Sequence, residues 1–297
     1  MTMATVSPER KAALLLALTM LCYASNHVIG RAVHVQLPPL GLSFWRWLCG
    51  AAILLPFIAP NLRQLLPLYL QHWRILALLG ALIVGSTTLI LVGLNFTSAT
   101  NTSLINASQP TITALLCWIF LRERLAVRQW CGIGLAFAGI AVILTRGDVG
   151  ALRHFAFNGG DLLVLLAMLG FATYGINIRK IPAEFHVTES LFAIIVLGAL
   201  LLLPFYIAES LTYMTMPVTA RAGMIVVALA LLVSVIGMSL WTRGNQLIGP
   251  NRAAVYVNLI PLFGMLLAVA FLGEQVRPHH FLGGAMVCAG MLLALRR

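Results

Sequence analysis

Residues 110–146 read PTITALLCWIFLRERLAVRQWCGIGLAFAGIAVILTR, and residues 261–297 read PLFGMLLAVAFLGEQVRPHHFLGGAMVCAGMLLALRR. The two stretches align without a gap at an offset of 151. Pro110 falls on Pro261, Phe120 on Phe271, Leu121 on Leu272 and Glu123 on Glu274. Gly132 falls on Gly283, Gly139 on Gly290 and Arg146 on Arg297. Leu matches are cheap in apolar sequence, but a Pro, a Glu and paired glycines at one spacing are not. Upstream, Met20-Leu21-x-x-Ala24 matches Met168-Leu169-x-x-Ala172, and Pro56 matches Pro204, at an offset of 148. The chain is therefore read as two repeats, 12–146 and 160–297.

Composition excludes a water-soluble chain. Hydrophobic residues make up 61% of the sequence and charged residues 9%, with a mean hydropathy of +0.97. Soluble domains carry about a quarter charged residues. The net charge of +11 comes from single basic residues between apolar runs, so a nucleic-acid partner is not expected. All five cysteines (Cys22, Cys49, Cys117, Cys131, Cys288) fall in apolar segments without CxxC spacing, which reads as packing, with no metal and no cofactor. Arg10 and Lys11 precede the first apolar run as in a signal peptide. No Ala-x-Ala-like cleavage site follows, and Asn26, His27 and Arg31 interrupt its end, so an uncleaved first span is expected.

A helix needs about 20 residues to cross the bilayer core. Apolar runs predict ten spans, near 11–30, 40–59, 74–94, 99–121, 129–145, 161–180, 188–208, 221–243, 250–272 and 279–295. With the N-terminus inside, 13 of the 19 basic residues lie on the cytoplasmic side, five lie outside and Arg46 lies within a span. The positive-inside rule then puts both termini in the cytoplasm. Five spans per repeat is an odd number, so the second repeat enters the membrane from the opposite side. The expected fold is an all-α integral membrane protein, ten transmembrane helices as two inverted five-helix repeats. Inverted repeats place a site near the midplane and let it open to either side, which suits a carrier.

At these residues the chain resembles the EamA-type transporters of the drug/metabolite transporter superfamily. The pattern of Pro, a helix ending Phe-Leu-x-Glu, then a Gly-bearing helix stands twice: Pro110, Phe120, Leu121, Glu123, Gly132, Gly139, and Pro261, Phe271, Leu272, Glu274, Gly283, Gly290. Phe44-Trp45-Arg46 is similar to the family's Phe-x-Arg on the second helix, whereas the second repeat has Phe192-Ala193-Ile194 there. Within the family the chain looks most like the YddG-type exporters of aromatic and other neutral amino acids. The resemblance implies a multi-pass protein of a bacterial inner membrane, acting as monomer or homodimer on a small-molecule substrate.

Polar side chains in spans normally face a bundle interior or a water-filled cavity. The fourth span carries Thr102, Asn106, Gln109 and Thr113 along one helical face, with Asn101 just before them. The first span carries Thr19, Tyr23, Asn26 and His27, and its repeat mate Thr173, Tyr174 and Asn177. The eighth adds Trp241, Asn245 and Gln246, and the ninth Arg252, Tyr256 and Asn258. Interhelical packing explains small polar residues, and His27 reads equally as a packing histidine. Asn, Gln and the aromatic walls read as a hydrophilic cavity for an apolar or aromatic side chain. The candidate binding residues are Tyr23, Asn26, His27, Arg46, Asn101, Asn106, Gln109, Tyr174, Asn177, Trp241, Tyr256 and Asn258. Arg46 either ties the second helix to a neighbour or holds a substrate carboxylate. Pro110, Glu123, Pro261 and Glu274 read as structural or gating residues.

All eight acidic residues sit at span ends or in loops. With no carboxylate at mid-membrane, a facilitative exporter is expected, and proton-coupled drug antiport is disfavoured. An intramembrane enzyme is disfavoured too, since HExxH, GxSxG and paired carboxylates are absent from the spans. The alternative among carriers is export of other small metabolites, purines or drugs, with proton coupling open.

Overall fold

Pro38 and Pro39 end one helix and open the next. Pro38 is extended (φ −67°, ψ 135°), and Pro39 stands at the start of the following helix, where a missing N–H costs nothing. The break before Pro250 works differently. Gly249 takes φ 85°, a left-handed turn that a Cβ would strain, and Pro250 opens the next helix.

The computed structural model describes residues 8–33, 36–93, 95–96, 109–122, 126–144, 159–272 and 278–295, and all regular structure there is helical. The helices are α1 (Pro8–Val33), α2 (Pro39–Ile58), α3 (Leu62–Gln71), α4 (Trp73–Gly93), α5 (Gln109–Leu116) and α6 (Val127–Leu144). Then come α7 (Gly159–Asn177), α8 (Val187–Thr212), α9 (Ala220–Leu229), α10 (Met238–Ile248), α11 (Pro250–Val255), α12 (Leu259–Leu272) and α13 (Pro278–Leu295). Wider π-type turns over Ala230–Gly237 join α9 to α10 in one rod, and a 3-10 turn over Tyr256–Asn258 joins α11 to α12. Six described helices are long and apolar enough to cross a membrane: Pro39–Gln71, Trp73–Gly93, Leu162–Lys180, Val187–Thr212, Ala220–Ile248 and Arg252–Phe271.

The helix bounds refine the expected spans. The first runs from Pro8 to Val33, longer than 11–30, and the eighth reaches Ile248. The interval 60–73, expected to be a plain break, holds α3, which buries Leu65 and exposes Arg63, Gln64 and Leu66. Two prolines hide that helix in the sequence, yet Pro60 precedes it and Pro67 lies within its short run.

Helix ends collect at two faces. At the first, the Arg252 guanidinium lies 3.6 Å from the Glu9 carboxylate. There α10 also meets the turn over Ile178–Lys180. The Tyr69 hydroxyl donates to the Glu189 carbonyl at 3.0 Å, and its ring stacks on Phe185. At the second face, the Leu40 and Gly41 N–H groups donate to the two Glu209 carboxylate oxygens at 3.0 and 2.6 Å. Val33, Leu37 and Leu42 pack there with Ala222 and Val226. Gly93, ending α4, lies against Gly160 and Val164 at the start of α7. So α1 runs from the first face to the second, and α7 runs back.

Packing at the centre is close because small residues permit it. A Cβ on Gly80 of α4 would stand 2.6 Å from the Ile194 carbonyl oxygen and 2.7 Å from the Gly198 nitrogen of α8. Where α6 crosses α13, a Cβ on Gly139 would stand 2.6 Å from the Gly283 carbonyl, and one on Gly290 would stand 2.6 Å from the Gly132 carbonyl. The main buried cluster draws on α1, α2, α4, α7, α8, α10, α11 and α12, so the core lies where those helices converge.

Candidate substrate site

Arg46 stands toward the middle of α2, inside an apolar helix, and is 1% exposed. Its NH1 donates to the Asn26 side-chain oxygen of α1 at 3.2 Å. The guanidinium lies over the Trp47 ring, 5.0 Å from its centroid. Its Nε and NH2 find no partner among the described residues, so no described carboxylate neutralises it. A buried guanidinium in this state carries a large desolvation penalty, and an arriving anion would relieve it. The planar donor fork suits a carboxylate.

Tyr23 lies within electrostatic reach of this charge. Tyr23 of α1 donates its hydroxyl to the Met238 sulfur at 3.0 Å. Tyr174 of α7, Trp241 of α10 and Tyr256 join Trp47 in one buried cluster. Asn258 is 2% exposed, and its side-chain oxygen finds no partner among the described residues. Gln109, at the start of α5, is buried as well. These residues come from both halves of the sequence and suit a substrate with a carboxylate and an apolar body.

Other expected site residues are placed differently. Asn177 spends its amide on its own helix, donating to the Thr173 carbonyl at 2.8 Å. His27, Pro110 and Pro261 lie on the described backbones of α1, α5 and α12. Asn101, Asn106, Glu123 and Glu274 lie outside the described residues. Thr242, absent from the sequence-derived set, is 2% exposed, with the Tyr174 hydroxyl beside it. The available signal was its spacing of three from Asn245 along α10.

The EamA-like transporter family model matches residues 10–145 and again residues 158–296. The chain is 26% identical over 261 residues to the uncharacterized transporter YyaM of Bacillus subtilis (strain 168), covering 86% of this chain and 84% of that one. It is 25% identical over 301 residues to a probable amino-acid metabolite efflux pump of Escherichia coli (strain K12), covering 96% and 95%. A solved crystal structure shares the fold with a TM-score of 0.77 at 18% identity, over 96% of both chains. Matched along both halves by one family model, this multi-pass membrane protein belongs to the EamA-like transporter family.

Proposed function

We propose that the chain is a ten-span carrier, built of inverted repeats near 12–146 and 160–297, that exports aromatic and other neutral amino acids by alternating access. One observation carries the substrate reading: the buried Arg46 guanidinium, whose Nε and NH2 have no partner among the described residues, set beside Trp47 and Tyr23. The relative in Escherichia coli named as a probable amino-acid metabolite efflux pump agrees with it.

The pairing of helices supports the repeat reading. The packing of α1 on α10 has its mate in α4 on α7, and that of α1 on α12 in α5 on α7. The helices α2 and α8 pack on each other, as do α6 and α13. An approximate two-fold axis in the membrane plane would relate all these pairs, the geometry that alternating access uses. The excess of basic residues on one side supports both termini in the cytoplasm, which would set Glu9 and Arg252 at the inner face. A reporter fused after Arg297 should then read as cytoplasmic, and one inserted after Gly147 as periplasmic. The opposite pair of signals would overturn the inversion.

The transport test is uptake into proteoliposomes. Labelled phenylalanine should move down its own gradient, and a polyamine should not, because all eight acidic residues sit at span ends or in loops. Collapsing a proton gradient should leave the initial rate of phenylalanine uptake unchanged. Equal rates for phenylalanine and the polyamine would refute the substrate reading, and a rate set by the pH difference would refute facilitative transport.

A further inference from the structure

A second group of buried polar atoms lies toward the first face from Arg46, between α7 and α10. Tyr174 and Asn245 are fully buried and Thr242 is 2% exposed. Thr242 and Asn245 share one face of α10, and the Tyr174 hydroxyl lies beside Thr242. The Asn245 amide nitrogen would touch a Cβ on Gly175, the residue after Tyr174, at 3.5 Å. The Tyr174 and Thr242 hydroxyls have each other within hydrogen-bond reach, whereas both polar atoms of the Asn245 amide find no partner among the described residues. Buried polar groups in folded proteins are normally paired, and leaving them unpaired is destabilising. A ligand that arrives with its own donors removes that penalty.

We propose that Tyr174, Thr242 and Asn245 form a second substrate station, which holds the ammonium of the amino acid. This rests on the amino-acid reading above and adds the site of its cationic group. The station offers three neutral oxygens, and an ammonium brings three N–H donors. Neutral oxygens are sufficient because the substrate carries its own carboxylate. Tyr23 lies within electrostatic reach of both Tyr174 and Arg46. By the 148-residue offset, Tyr174 is also the repeat mate of Asn26, the residue that holds Arg46. One repeat thus supplies a charged station and the other a neutral one.

The test compares phenylalanine with 3-phenylpropionate, which keeps the ring and carboxylate but lacks the ammonium. The purified full-length protein in detergent is titrated with each, and its melting temperature is followed without ligand. The substitution Asn245→Leu keeps the volume and removes both polar atoms. It should weaken phenylalanine binding about tenfold or more, leave 3-phenylpropionate unchanged, and hold or raise the melting temperature. Thr242→Val removes one oxygen at constant shape and should shift the same selectivity, which provides the test if Asn245→Leu does not fold. Unchanged phenylalanine binding, or an equal loss for both ligands, would overturn the station while the amino-acid reading stands. Stabilisation by sodium chloride over potassium chloride without amino acid, removed by Asn245→Leu, would also overturn it in favour of a metal cation. A wild-type protein that binds neither ligand would overturn the amino-acid reading and the station together.

Discussion

Arg46→Met is expected to reduce amino-acid transport at least about 30-fold, the equivalent of ~2 kcal/mol or more for a desolvated charge pair. The methionine fills most of the space of the arginine stem and removes the charge. Among the described residues that charge has one hydrogen bond, to Asn26, and its Nε and NH2 have no partner. Removing it should leave the melting temperature unchanged or raise it, since an uncompensated buried ion destabilises the fold that holds it. Arg46→Lys keeps the charge but loses the planar fork, and should fall between wild type and Arg46→Met. Uptake of labelled phenylalanine into proteoliposomes, measured beside thermal unfolding in detergent, reads both effects. A methionine variant that transports at the wild-type rate would remove Arg46 from the site. One that is inactive and also unstable would give Arg46 the structural role of tying α2 to α1.

The second large effect lies far from the site. Gly139→Ala and Gly290→Ala should each destabilise the protein by about 1–3 kcal/mol, the range for overpacking a close contact. In both, the new methyl would meet a backbone carbonyl at 2.6 Å, which no side-chain rotation relieves. The two positions are repeat mates whose partners, Gly283 and Gly132, are mates as well. Their losses should therefore be similar. Gly134→Ala supplies the control, because a Cβ there meets nothing within 4 Å and alanine is the better helix former. It should leave the melting temperature unchanged or raise it. If all three variants melt together, the α6–α13 crossing is not the close contact described.

The pairing of Gly139 with Gly283 shows why the repeat was legible in the sequence. Where two backbones touch, only glycine fits, so the spacing survives while the leucines around it drift. Arg46 was legible for another reason: a lone charge in an apolar run of twenty residues must have a compensating role. The orientation of amides was not legible. Asn26 and Asn177 look alike in the sequence, but Asn26 reaches across to Arg46 while Asn177 bonds back four residues along its own helix. Local spacing permits both, and only the packing of neighbouring helices selects one. Thr242 was hidden because a threonine in a membrane helix usually satisfies itself on a preceding carbonyl, as Thr19 and Thr173 do. The role of Glu209 depends on Gly41, 168 residues away in the chain, a pairing that no local pattern contains.

That carboxylate has a consequence for how the molecule moves. The first N–H groups of a helix have no partner in their own helix, and two of those at the start of α2 end on Glu209 near the end of α8. Separating the two helices at this face would strand two donors and a carboxylate at once. In the alternating-access cycle proposed above, motion that opens the second face would therefore carry the ends of α2 and α8 together.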